Sequence, residues 1–224
     1  MTERDKILTR IREGLSQHTT GSHHGSESLP PAAKANARQW LPPCGDSVAE
    51  QFEAFRKASS DLRTEFHLLP DQAAAQALLL QMSTTDGWSR LATHQGKHTD
   101  AITSALGVSV LSTDAGYDVH ELEQCDVGIT ECDAMVAQTG SILVTSRTTG
   151  GRALSVLPHH HIVLARRDQM VRDLTAAFAL IKQRFGSSYP SMISFITGPS
   201  RTGDIERILV LGAHGPKRLT VLCW

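Results

Sequence analysis

The stretch that decides the fold reads TGPSRTGDIERILVLGAHGP and spans residues 197–216. It follows an apolar run at 192–196 and holds two turns, at 198–203 and 212–216, both rich in glycine and proline. Each turn stands at the end of an apolar run and carries hydroxyl, guanidinium or imidazole groups. Ligands of open α/β sheets bind at strand ends. The stretch therefore predicts an α/β fold in which these two turns line a ligand site.

Outward from this stretch, short apolar runs alternate with amphipathic segments, which is typical of βαβ units. The pattern predicts one α/β domain with a mainly parallel central sheet and helices on both faces. The continuous apolar centre of SILVTS, residues 141–146, favours a strand buried on both sides. The main predicted helices cover 46–64, 71–82, 131–138 and 168–185, and the remaining predicted strands include 108–111, 126–130, 161–165, 192–197 and 218–223.

The amino-terminal part has a different composition from the rest. Residues 1–15 predict a short amphipathic helix with Ile7, Leu8 and Ile11 on one stripe. Residues 16–45 open with a tract rich in Ser, His, Thr and Gly and predict a flexible linker. The α/β domain is expected to span residues 46–224.

Bulk composition excludes several classes of function. Of the 224 residues, 40% are hydrophobic and the formal net charge is -1, which gives no electrostatic basis for binding nucleic acid. No apolar run reaches the ~20 residues of a membrane span, and the charged start is unlike a secretory signal. The four cysteines form no C-x-x-C pair. We therefore expect a cytoplasmic protein with reduced thiols and no iron–sulfur cluster of its own.

The turn at 198–203 is the first candidate ligand site. Gly198 allows close backbone approach, Ser200 and Thr202 offer hydroxyls, and Arg201 supplies a fixed positive charge. A helix starting at Asp204 would also point its amino end at an anion. A capped turn with a solvated Arg201 is the alternative, and Asp204 could itself complement the helix dipole.

Two further corners share this chemistry. Thr139, Gly140 and Ser141 form a hydroxyl–glycine–hydroxyl corner that exposes backbone amides to a ligand. His214 and Gly215 form the second turn, where the imidazole is either an acid/base group or a structural cap. We predict that all three loops converge on one cleft at the carboxyl ends of neighbouring strands, and that Arg201 there contacts a small anionic ligand.

The run His159-His160-His161 invites a metal interpretation. In a strand, alternate side chains share a face, so at most His159 and His161 converge, and two ligands are too few for a closed zinc site. The sequence favours His161 as a buried, hydrogen-bonded histidine near the ligand site. No metal site is expected.

Four blocks in the C-terminal half resemble one family, the LUD domain of lactate utilization protein C. They are GITECDAMVAQTGSILV at 128–144, LPHHHIVL at 157–164, GPSRTGDIE at 198–206 and LGAHGP at 211–216. The resemblance implies a fold similar to that of ribose-phosphate isomerases, glucosamine-phosphate deaminases and coenzyme A transferases. His161 matches the family's histidine before its strand. Gln138 stands where the family commonly has Glu, so a carboxylate base at that position is not implied.

The resemblance also implies a function. Such proteins are implicated in oxidation of L-lactate to pyruvate alongside iron–sulfur partner proteins, and this chain would be the cluster-free component, without a cofactor of its own. Whether it catalyses a step alone stays open. The alternatives are a free-standing enzyme acting on a phosphorylated sugar or an acyl-coenzyme A, argued from fold kinship, and a non-catalytic ligand-binding subunit.

Overall fold

The computed structural model describes residues 3–16, 41–202, 210–211 and 215–224. The chain divides into two compact units, Met1–Leu41 and Pro42–Trp224. In the first, helix α1 spans Glu3–Ser16 and exposes Ile7, Leu8 and Ile11. None of the helices in the described ranges combines the length and apolar character that crossing a bilayer requires.

The second unit alternates helices and strands, because apolar runs are separated by capped helix starts and glycine turns. Its helices are α2 (Val48–Asp61), α3 (Gln72–Asp86), α4 (Lys97–Thr103), α5 (Val119–Glu123) and α6 (Leu174–Phe185). Its strands are β1 (Glu65–Leu68), β2 (Arg90–Thr93), β3 (Ser109–Ser112), β4 (Val127–Glu131), β5 (Ala134–Val136), β6 (Ser141–Thr145), β7 (His160–Ala165), β8 (Met170–Val171), β9 (Ile193–Ile196), β10 (Arg201–Thr202), β11 (Val210–Leu211) and β12 (Arg218–Cys223).

A six-stranded sheet in the order β1-β12-β7-β4-β2-β3 forms the centre of the unit, and all its strand pairs are parallel. Side chains alternate across it. Ile162 and Leu164 of β7 pack in a cluster with residues of α3 and α4, whereas Val163 and Ala165 pack in a cluster with residues of α2. The predicted α/β architecture, with a mainly parallel central sheet and helices on both faces, is therefore confirmed.

A second sheet in the order β8-β5-β6-β9 was not predicted. Strands β5 and β6 form an antiparallel hairpin, and β6 also pairs antiparallel with β9. The helix predicted over 131–138 is wrong: Asp133 N donates to Leu143 O at 2.8 Å, a long-range pairing that fixes this segment as a strand. Strand β6 is buried throughout, as its apolar centre predicted, but it lies outside the parallel sheet.

The helix predicted over 168–185 is shorter than expected. Asp173 caps it by accepting from Ala176 N at 2.9 Å, and α6 begins at Leu174. The residues before it form a 3₁₀ turn, Arg167–Gln169, and strand β8. The apolar residues Met170 and Val171 thus extend the second sheet rather than the helix.

Candidate anion cleft

A cleft of about 240 Å³ opens where β9 runs out into the 197–200 turn. Its wall includes side chains of β9, of the 153–157 turn and of the segment before β12. Hydroxyl groups share the lining with a larger amount of apolar surface: the lining includes Ser155, Met192, Ser194, Thr197, Ser200 and Gly215. Such a mixture suits a small ligand with both polar and apolar parts.

The two glycine turns of the C-terminal stretch are bound together at this cleft. Ser200 N donates to Pro216 O at 2.9 Å. At Gly215 the position of a Cβ atom would lie 3.2 Å from Ser200 Cβ, so a larger residue would press on the turn. The structure thus brings Gly198, Ser200 and Gly215 together at the cleft. His214 falls outside the residues that the structure describes.

Arg201 lies beside the cleft and begins strand β10. Strand β10 pairs antiparallel with β11, so residues Arg201 and Thr202 extend a ribbon. The proposed helix start at Asp204 lies outside the described residues. Arg201 is exposed, and its Nη2 atom lies 3.5 Å from the Cβ position of Gly198. Among the described residues it has no carboxylate within ion-pair distance.

Three hydroxyls connect the Thr139–Ser141 corner to the cleft. Ser141 Oγ lies 2.8 Å from Thr139 Oγ1 and 2.8 Å from Thr197 Oγ1. Gly140 has φ 64° and presses on α2, where a Cβ would lie 2.9 Å from Ala58 Cβ. Ser141 itself is only 2% exposed and supports the cleft from behind through Thr197.

The geometry at this corner differs from the predicted one. Ser141 opens β6, whereas Thr197 follows the last residue of β9. The two meet because these strands run antiparallel, with Ile142 opposite Ile196. The prediction placed the loops at the carboxyl ends of neighbouring strands; Ser141 stands at the amino end of its own strand, and its contact with the 197–200 turn runs through Thr197.

His161 does not line the cleft. It is fully buried near the amino end of β7, and its Nε2 lies 2.8 Å from Thr130 Oγ1. Burial, helped by the neighbouring His160, lowers the pKa of His161 to about 3. A histidine held neutral in this way contributes a hydrogen bond to the sheet and is unsuited to proton transfer near neutral pH.

His160 is also buried, although it alternates with His161 along β7. Its Nε2 lies 2.8 Å from Thr220 Oγ1, and Thr220 Oγ1 in turn donates to Glu65 Oε2 at 3.1 Å. Burial lowers the pKa of His160 to about 4, and the nearby Arg218 acts in the same direction. Both faces of the parallel sheet are covered, so alternation buries both histidines.

A second cleft, of about 380 Å³, lies at the amino ends of the parallel strands, and its lining includes His159, Lys217 and Arg218. Most of its charged groups have an ion-pair or hydrogen-bond partner within the protein. Arg218 pairs with Asp86 at 2.7 Å and with Glu65 at 3.4 Å. Asp126 accepts from the backbone of Ser89 and Arg90 at 2.7 and 2.9 Å. We therefore interpret this cleft as a structural feature of the sheet edge.

The carboxyl edge of the parallel sheet holds two polar residues that no sequence motif marked. Between β2 and β4 the connections diverge, the place where α/β sheets commonly bind ligands. Here the polar side chains bond to the protein's own backbone. Glu131 Oε1 accepts from His98 N at 2.7 Å and from Thr99 N at 3.3 Å, while His94 Nε2 accepts from Glu131 N at 3.3 Å.

No carboxylate replaces the family's Glu at position 138. Gln138 Nε2 donates to Pro42 O at 2.9 Å. Asp133, whose side chain is 3% exposed, is ion-paired with Arg184 and accepts from Thr148 Oγ1 at 2.8 Å. Within the described ranges, these contacts leave Asp133 committed to the second sheet and Glu131 to the start of α4.

Within the described part of the chain, no three His, Cys, Asp or Glu side chains gather as a metal site would require. Burial raises the pKa of the Cys132 thiol far above its usual value and that of Cys223 to about 12, so both stay protonated. The described groups around the cleft are suited to binding a small oxyanion, because they are hydroxyls, turn amides and a guanidinium.

Fold and site together define an α/β protein with a parallel core, a second, mixed sheet and a hydroxyl-lined cleft beside that sheet. The LUD domain matches residues 92–223, which include the cleft, and the chain belongs to the LUD domain family.

Individual relatives support the same family assignment. Lactate utilization protein C of Geobacillus thermodenitrificans is 29% identical over 195 residues, covering 81% of both chains. The protein of that name from Geobacillus sp. strain WCH70 is 40% identical over 120 residues, 52% of this chain and 50% of the relative. A crystal structure of a DUF162 family protein from Deinococcus radiodurans superposes with a TM-score of 0.63 at 22% identity, covering 80% of this chain and 99% of that one, and shows the same fold.

Proposed function

We propose that this chain is a lactate-utilization protein of the lactate utilization protein C type, the cluster-free component that supports oxidation of L-lactate to pyruvate with iron–sulfur partner proteins in the cytoplasm. The observation that carries the proposal is similarity to a lactate utilization protein C across 81% of both chains. Iron–sulfur clusters, on this proposal, belong to the partners, and this chain contributes a ligand site.

The ligand site is the cleft beside Arg201, and its ligand is a small carboxylate or phosphate. Three features support this assignment. Thr197 and Ser200 place hydroxyls in the lining, the Gly198 and Gly215 turns allow close approach of a ligand to the backbone, and Arg201 offers a guanidinium with no ion partner among the described residues. A guanidinium pairs with either oxyanion through two parallel hydrogen bonds.

The partner proposal is tested by purifying an affinity-tagged chain from its own host grown on L-lactate. The expected result is co-purification of proteins whose absorption and iron content report iron–sulfur clusters. A chain recovered alone, and binding a sugar phosphate or an acyl-coenzyme A in calorimetry, would instead support a free-standing enzyme.

Substituting Arg201→Ala tests the cleft. We expect binding of L-lactate, pyruvate or inorganic phosphate, measured by calorimetry, to weaken by about 2 kcal/mol or more if the charge pair is desolvated. The thermal melting temperature should not change, because Arg201 is exposed.

The matched control for this substitution is Arg12→Ala, an exposed arginine of α1. It should leave binding unchanged. Equal binding by the wild type and by Arg201→Ala would remove Arg201 from the site.

A further inference from the structure

The carboxyl end of α2 holds a residue in an unusual backbone conformation. Arg63 has φ 63°, the only positive value outside glycine among the described residues. Thr64 N donates to Ser59 O at 2.8 Å and Arg63 N donates to Ser60 O at 3.0 Å, which is the pair of bonds of a Schellman motif. Glycine is the usual residue at this position, since a side chain there costs about 1 kcal/mol or more. An arginine is thus kept where glycine would be more stable.

This turn packs directly on the turn that forms the cleft. A Cβ atom added to Gly198 would lie 2.9 Å from Leu62 O, 3.3 Å from Leu62 Cβ and 3.5 Å from Arg201 Nη2. The end of α2 and the guanidinium of Arg201 therefore meet at the same glycine of the cleft lining. Arg63 follows Leu62 directly in the chain, so its backbone lies next to the contact at Gly198.

The charge of Arg63 has no counterpart nearby in the described structure. Arg63 is exposed, and no described residue forms a hydrogen bond or ion pair with its side chain. The described residues that line the cleft are all uncharged. Arg63 and Arg201 are thus two exposed guanidinium groups without an ion partner among the described residues, one on each of the two turns that meet at Gly198.

We infer that Arg63 is a second specificity-determining cation of the cleft, and that the ligand is a small oxyanion with two negative charges, a dicarboxylate or a phosphate, in preference to a monocarboxylate. The inference rests on the proposed anion cleft and adds its charge selectivity. Two guanidinium groups around one small site favour a dianion, because each added charge of the ligand gains a partner.

The test measures binding of malonate and of acetate by calorimetry for the wild type and three variants. We expect the wild type to bind malonate at least about tenfold more tightly than acetate. Arg63→Gly and Arg63→Gln should each weaken malonate binding by about tenfold and change acetate binding little, whereas Arg63→Lys should keep most of the affinity.

Thermal melting separates this role from a structural one. Arg63→Gly should raise the melting temperature, because glycine relieves the left-handed conformation, while Arg63→Gln should not. A more stable glycine variant that binds malonate less tightly is the expected combination. Malonate binding equal to that of the wild type in Arg63→Gly, or equal affinity of the wild type for malonate and acetate, would overturn the inference while the cleft stands. A wild type that binds neither anion would overturn the cleft itself.

Discussion

The two sheets of the main unit differ in whether their polar and charged side chains have partners inside the protein. In the parallel sheet, β7 is buried over its whole length, and its two histidines have hydroxyl partners at 2.8 Å. In the second sheet, β9 is half-exposed at every residue, and the turn that follows it leads to Arg201, which has no ion partner among the described residues.

The contrast indicates which part of the fold is available for function. Where the fold is closed, each added polar side chain must find a partner inside the protein, as Glu131 and His94 do at the sheet's carboxyl edge. Where a sheet edge stays open, hydroxyls and cations can remain unpaired without a burial cost. The ligand site is therefore expected beside β9 rather than between β2 and β4, where Glu131 and His94 bond to the protein's own backbone.

The largest expected effect comes from a matched pair of isoleucines, one in each sheet. Ile162→Ala should lower the free energy of unfolding by about 2–5 kcal/mol, because Ile162 is fully buried in β7. Ile196→Ala should cost less than about 2 kcal/mol, because Ile196 is half-buried beside the cleft. Urea unfolding of both variants measures the difference. Equal costs would contradict the contrast between the buried strand β7 and the half-exposed edge strand β9.

The next largest expected effect is a pH dependence of stability that arises from two histidines of the parallel sheet. The pKa values of His160 and His161 are lowered to about 4 and about 3 in the folded protein, mainly by burial, from about 6.5 in the unfolded chain. Below pH 6.5 the unfolded state binds protons that the folded state does not, so stability falls as the pH drops toward 4. Each histidine contributes up to about 1.4 kcal/mol per pH unit, and above pH 6.5 the contribution is constant.

Urea unfolding between pH 7 and pH 5 measures this slope. His160→Gln should flatten it, because one proton-binding difference between the two states is removed. His159→Gln, at an exposed position directly before β7, is the control and should leave the slope unchanged. An unchanged slope in His160→Gln would contradict the prediction, because it would show that the pKa of this histidine is the same in the folded and unfolded states.

The smallest effect concerns the hydroxyl chain behind the cleft. Ser141→Ala and Thr197→Val should each cost about 1 kcal/mol, because Ser141 Oγ and Thr197 Oγ1 lie 2.8 Å apart and Ser141 is buried. The double variant should cost less than the sum, since both changes remove the same bond. Strict additivity of the unfolding free energies would mean that the bond does not contribute.

The parallel sheet could be predicted from sequence because its strands carry their own signal. Continuous apolar runs such as 161–165 and 218–223 indicate strands buried on both faces. The second sheet could not be predicted in the same way. Strand β5 has only three residues, and its state depends on distant partners in β6 and β8. Local propensity at 131–138 was overridden by those pairings.

The cleft was partly predictable for a related reason. Glycine, hydroxyl and arginine at turns are local signals, and they identified Gly198, Ser200, Arg201 and Gly215. The contribution of Leu62 and the adjacent Arg63 depends on α2 packing against a turn far along the chain, which no local pattern records. His161 was misplaced because a single strand does not show which of its faces a ligand approaches.

The strand order has a consequence for biosynthesis. Strand β12 inserts between β1 and β7, pairing with both. During translation β1 and β7 are made before the strand that pairs with both of them. Each therefore has an unpaired backbone edge that other nascent chains could bind. Because β12 is the last strand of the sheet to be made, the central sheet closes only once these residues have left the ribosome. The edges of β1 and β7 that face each other therefore stay unpaired until β12 has been made, and during that interval they are open to wrong pairing.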